Sequence, residues 1–113
     1  MKILIIQEKG RNSGNLEYRE ALNLNRSLQK YNVESIVWGL NYDNFIIPFN
    51  EISKDCDVIL LLENYEENNW VPDLSNFTGL KIFWSIDSHC IHQKHINTFN
   101  KYNIDIVLHA VYG

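Results

Sequence analysis

The stretch Phe83-Trp84-Ser85-Ile86-Asp87-Ser88-His89 sets a carboxylate and an imidazole two residues apart. That pair suits general-base work. Asp87 can orient the His89 ring or raise its basicity, and either group can take a proton from a hydroxyl. Ser88 or Asp87 can equally cap a following helix, a role compatible with chemistry. A second stretch, Glu8-Lys9-Gly10-Arg11-Asn12-Ser13-Gly14-Asn15, combines two glycines with small polar residues ahead of a helical pattern. Backbone N–H groups in such a loop, with the helix N-terminus behind them, can hold an anion. The spacing departs from G-x-G-x-x-G, and the G-K-[ST] ending of a P-loop is missing. An adenine dinucleotide or nucleoside triphosphate site is therefore disfavoured. The expectation is a looser contact with a sugar or phosphate, made by Gly10, Arg11, Asn12, Ser13, Gly14 and Asn15. The simpler reading is a plain strand-to-helix turn.

Glu63 and Trp70 offer a carboxylate and an aromatic ring to one cleft. The carboxylate would accept hydrogen bonds from sugar hydroxyls, and the ring would stack on the apolar face of the sugar. A solvated strand end and a hydrophobic lid are the simpler roles. His89, His92 and His95 invite a metal reading, but His89 and His95 fall about 120° apart on a helix of about 100° per residue. No Asp or Glu lies in that helix to complete a ligand set. No metal and no cofactor are expected, and His92 is assigned to the binding cleft. His109 falls inside an apolar run and reads as structural. Cys56 and Cys90 cannot make a disulfide framework and read as reduced thiols of a cytoplasmic protein.

The elements that must position these groups follow from the apolar runs. Lys2–Gln7, Ser35–Leu40, Asp57–Glu63, Lys81–Ile86 and Ile104–Val111 read as strands. Most are continuous Ile, Val and Leu without alternation, the pattern of strands covered on both faces in a parallel sheet. A helix is expected over Leu16–Tyr31, with Ala21, Leu24, Leu28 and Tyr31 on one face and Asn15 as N-cap. A short helical turn is expected over Asn50–Lys54, and a second long helix over His89–Tyr102. The expected fold class is α/β: a Rossmann-like, open parallel sheet of about five strands with helices on both faces. In such sheets ligands bind outside the carboxyl ends of the strands. That rule collects Glu8–Asn15, Leu40–Phe45, Glu63–Trp70, Asp87–His92 and Val111–Gly113. The segment Asn64–Leu80 stands where a helix would normally cross, and a long irregular crossover is often functional.

At 113 residues the chain suits one domain, with 45% hydrophobic and 12% aromatic content. That composition excludes a disordered tail. Ten Lys and Arg against fourteen Asp and Glu give a net charge of -4, which disfavours a phosphate-backbone binder. No apolar run approaches the roughly 20 residues of a membrane span, and the one at the start is too short for a signal peptide. Asparagine is abundant but scattered and reads as compositional bias. The sequence stops at Gly113 directly after the fifth strand, which suggests a cut inside a longer two-domain protein. A cut there would expose surface that had faced the missing half, and a homodimer through it is then an allowed state.

Several stretches resemble the N-terminal domain of GT-B type glycosyltransferases. They are Lys2-Ile3-Leu4-Ile5-Ile6 with its glycine-bearing loop and helix, Asp57-Val58-Ile59-Leu60-Leu61-Leu62 as a "D-V-I/V" third strand, and Asp105-Ile106-Val107. Lys81-Ile82-Phe83-Trp84-Ser85-Ile86-Asp87-Ser88-His89 is similar to the "K-x-F/Y-W-x-x-D" segment of the CgeB-like (spore-maturation-type) group. The resemblance implies two Rossmann-like halves facing a cleft. The N-terminal half, to which this chain would correspond, would hold the acceptor and supply a catalytic base. The C-terminal half would bind the nucleotide-sugar donor. Asp87 and His89 match the base region, and the Gly10–Gly14 loop matches the one facing the donor phosphates, although it lacks a Gly-Gly pair. The domain alone would be inactive. The alternatives are a self-contained, non-catalytic flavodoxin-like or receiver-like binding module, and an interaction domain that only scaffolds partners. A phosphoacceptor role is disfavoured, since Gln7-Glu8 and Glu63 replace the acidic pair and the Asp of a receiver.

Overall fold

The computed structural model describes residues 1–9, 20–62, 70–85 and 103–109. Strands β1 (Lys2–Ile6), β2 (Glu34–Trp38), β3 (Val58–Leu62), β4 (Leu80–Ser85) and β5 (Ile106–His109) form one sheet. Every neighbouring pair is parallel, and the spatial order is β2-β1-β3-β4-β5. Helices α1 (Glu20–Lys30) and α2 (Phe49–Ile52) and a 3-10 turn at Asp43–Ile46 complete the described elements. The fold is α/β on a parallel sheet, as the unbroken Ile, Val and Leu runs imply.

Strand β3 lies between β1 and β4, and all five of its residues are buried. Alternation along the strands divides the core in two. Leu4, Ile6, Trp38, Ile59, Leu61 and Phe83 point to one face, which is closed by Ile52, Val71, Leu74 and Ile104. Ile5, Val37, Leu60 and Leu62 point to the other, where Ala21, Leu24 and Leu28 of α1 cover them. The two connections with described helices therefore run on opposite faces. Chirality requires this: β1 to β2 steps one way, β2 to β3 steps back across β1, and both crossovers must be right-handed.

Helix α1 ends one residue before Tyr31, and Tyr31 is 77% exposed. The expected fourth member of its buried stripe is thus a solvent residue. The cause is a Schellman closure: the Val33 N–H donates to Leu28 O (2.9 Å) and the Asn32 N–H to Gln29 O (3.0 Å). Asn32 takes the left-handed conformation this requires, φ 62°. Asn41 (φ 76°) plays a similar part in the turn where the Tyr42 N–H meets Gly39 O. Two asparagines that read as compositional bias thus occupy positions few other residues tolerate. The short second helix starts at Phe49 rather than Asn50, with Pro48 ahead of it. The expected N-cap Asn15, the start of the first helix and the helix over 89–102 lie outside the described residues.

Two aspartates fix the register at the amino edge of the sheet. The Asp57 N–H donates to Lys2 O, and its Oδ2 accepts from the Lys2 N–H, both at 2.9 Å. The Asp57 carbonyl accepts from the Leu80 N–H (3.1 Å), so one residue ties β1, β3 and β4. Gly79 permits that approach, because a Cβ there would sit 2.2 Å from Asp57 O. Asp105 repeats the clasp on β4: its N–H donates to Lys81 O (2.9 Å) and its Oδ2 accepts from the Lys81 N–H (2.8 Å). Asp57→Ala and Asp105→Ala are each expected to lower stability by about 1 kcal/mol. Asparagine at either site, which keeps an acceptor, should retain most of it. Urea unfolding with an unchanged slope checks this; unmoved midpoints in the alanine variants would refute the clasp.

Candidate functional site

Parallel pairing brings the carboxyl ends of all five strands to one edge. Ile6 is level with Trp38 and Leu61, Leu62 with Trp84, and Ser85 with His109. Chain direction across the sheet reverses between β1 and β3, and the crevice above such a switch point is the favoured ligand position. Gly10, Arg11, Asn12, Ser13, Gly14 and Asn15 follow β1, Glu63 follows β3, and Asp87, His89 and His92 follow β4. All of these lie outside the described residues. Trp70 is the one sequence-predicted site residue whose surroundings are described.

The β1 ladder runs past Ile6 toward the crevice. The Gln7 N–H donates to Trp38 O (3.3 Å) and the Lys9 N–H to Leu40 O (2.9 Å). Strand alternation therefore carries through these residues. Gln7 turns toward α1, where its fully buried Oε1 accepts from the Ala21 N–H at 3.0 Å. This bond ties the strand end to the helix. Glu8 turns to the opposite face and is only 5% exposed. A carboxylate this enclosed needs partners, and Glu8 is not without one. No local pattern marks that burial, since a Gln-Glu-Lys run reads as the polar end of a strand.

On the Glu8 face of the sheet, aromatic rings cluster in the core. Trp38 lies 4.9 Å from Phe45, 6.0 Å from Phe49 and 6.2 Å from Trp70, centroid to centroid. Trp70 meets Phe45 edge-on at 5.6 Å and 85°. Gly39 is needed beneath them. A Cβ there would fall 2.1 Å from Gln7 O and 3.1 Å from Trp70 Cη2. The contacts of Trp70 are those of a lid over the core, and its proposed partner Glu63 is outside the described residues. The two indoles differ in one respect. Trp38 Nε1 donates to Ile47 O at 3.0 Å, while Trp70 Nε1 is buried without an acceptor among the described residues. Beside them, Asn44 Nδ2 donates to Val37 O (2.7 Å), covering a carbonyl on the sheet's β2 edge.

Cys56 is unsuited to nucleophilic work. Its Sγ–H donates to Ile52 O at 3.4 Å. Burial pushes the thiol up from its ordinary value; Lys2 opposes this, and Asp55, Asp57 and Glu34 add to it. Thiolate is the reactive form, so the group is held inert. Among the described residues no three His, Cys, Asp or Glu side chains gather to hold a metal ion. No helix among them is long and apolar enough to cross a membrane.

Trp38→Phe is expected to cost about 1 kcal/mol more stability than Trp70→Phe, because only the first discards a hydrogen bond. Urea midpoints of the two variants decide it, and equal losses would contradict the assignment. In a Cys90→Ser background, Cys56 should react with a disulfide reagent more slowly than free cysteine at neutral pH, its rate rising only above the ordinary thiol range. The raised value also means that the folded state loses stability as pH climbs from the ordinary thiol value through the raised one, and none below the ordinary value. A rate matching free cysteine would refute the shielding.

Comparison with known proteins finds no matching family model, no matching curated protein and no matching solved structure.

Proposed function

We propose that the chain is the N-terminal, acceptor-side domain of a GT-B type glycosyltransferase, which moves a sugar from a nucleotide-sugar donor to an acceptor hydroxyl. The observation that supports this reading is the wholly parallel sheet. Each chemistry-bearing segment continues the chain from the carboxyl end of its strand, on one edge, where open α/β sheets bind ligands. Asp87 and His89 come soon after Ser85, the last residue of β4, and Gly10–Asn15 soon after β1.

In this reading Asp87 or His89 takes the acceptor hydroxyl proton. The acceptor oxygen bonds to the anomeric carbon as the bond to the nucleoside diphosphate breaks. Backbone amides of the Gly10–Asn15 loop stabilise charge on the departing phosphate. Glu63, Trp70 and His92 line the sugar-binding side. The Rossmann-like half works in the cytoplasm together with a donor-binding half, and the chemistry calls for no cofactor.

One observation favours the second reading, a self-contained flavodoxin-like or receiver-like binding module. The order β2-β1-β3-β4-β5 is the flavodoxin-like order, whereas the dinucleotide-binding order places the third strand outside the second. The product of the full reading frame, offered UDP-, GDP-, dTDP- and ADP-sugars, separates the two. Transfer or donor hydrolysis is expected, reduced at least about 100-fold by Asp87→Asn or His89→Ala. A folded product inert toward every donor would overturn the transferase reading, and unchanged rates in both variants would remove the base assignment.

A further inference from the structure

The amino edge of the sheet carries a cleft that the transferase reading does not use. Its volume is about 250 Å³, and it lies between two walls. One wall is α2 and the turn after it, with Phe49, Asn50, Ser53 and Lys54. The other is the segment entering β4, with Asp73, Asn76, Phe77 and Thr78. Each wall supplies one phenyl ring, one carboxamide, one hydroxyl and one charge, and the two charges are opposite.

Both walls are braced by bonds internal to the protein. Asp73 Oδ1 accepts from the Ser75 N–H (3.0 Å) and from Ser75 Oγ (2.7 Å), which fixes the carboxylate. Leu74, beside it, is fully buried, and the Phe77 N–H donates to Leu74 O at 3.1 Å. Lys81, only 7% exposed, donates from Nζ to Phe77 O at 3.1 Å. Across the cleft the Ser53 N–H donates to Phe49 O (2.9 Å) and the Cys56 N–H to Ser53 O (3.0 Å). The backbone of both walls is thus held before a ligand arrives, which lowers the ordering cost of binding.

We propose that this cleft binds a small zwitterion of the free α-amino acid class. Its volume is below the roughly 300–1,000 Å³ of sites for drug-sized ligands, which favours a ligand smaller than a nucleotide. A cation on one wall and a fixed carboxylate on the other match a ligand bearing both signs, rather than a simple anion or cation. Lys54 takes the ligand carboxylate and Asp73 the ammonium. The carboxamides of Asn50 and Asn76 donate to one end and accept from the other. Phe49 and Phe77 cover the aliphatic stem.

The test is a titration of the whole chain with the twenty common amino acids, followed by NMR. At least one is expected to give saturable shifts confined to residues 49–56 and 73–78 at millimolar concentration. Its N-acetyl and carboxamide derivatives, each lacking one charge, should bind at least tenfold more weakly. Lys54→Met and Asp73→Asn should weaken binding to the same degree, with circular dichroism unchanged. The asparagine keeps an acceptor for Ser75, so loss of binding there reports the charge. The proposal is overturned if no amino acid gives saturable shifts, if the capped derivatives bind equally well, or if glucose binds as well as the best amino acid. Nucleotide-sugar activity is not part of any of these outcomes.

Discussion

Strand β3 is buried along its whole length, so its backbone has no water to turn to. Each of its N–H and C=O groups must find a partner in a neighbouring strand. β1 answers on one side and β4 on the other. Because both are parallel to it, no tight turn can join them, and the chain must cross a face of the sheet each time. Those crossings supply the covers that five consecutive buried residues demand. Helix α1 seals Leu60 and Leu62, while Ile52, Val71 and Leu74 seal Ile59 and Leu61. A carboxyl rim able to gather chemistry is a by-product of the same constraint.

Much of this was legible because burial on both faces leaves a direct trace, an apolar run without alternation. The order of the strands left none. The same sequence of strands and helices fits a third strand outside the second or next to the first, and only contacts between remote segments choose. The aromatic cluster was hidden for the same reason. Trp38, Phe45 and Trp70 come from separate stretches, and nothing local couples them. Tyr31 continued the helical period on paper, yet Asn32 had already closed the helix.

Some of the residues behind the family resemblance have a local physical role. Asp57 opens what looked like a "D-V-I" strand, and in the fold it pins β3 to β1. Asp105 does the same for β5 on β4, and the buried Lys81 of the fourth-strand segment holds Phe77. A parallel sheet rewards such residues whatever it binds, because a slip of one position would turn every core side chain to the wrong face. The weight of the resemblance therefore rests on Asp87 and His89, which lie outside the described residues. The amino-edge cleft is walled by segments pinned to the core.

The Lys2–Asp57 clasp joins residues 55 positions apart, and it sits at the start of the central pairing. Closing a loop of that length carries an entropic cost before any contact rewards it. An emerging nascent chain that has exposed only β1, α1 and β2 holds a strand pair with one flank bare, and Leu4 and Ile6 have no β3 beside them. Assembly on the ribosome must therefore wait until Leu62 has cleared the exit tunnel. Until then the first half of the chain presents its Ile and Leu runs to whatever chaperone or neighbouring chain is at hand.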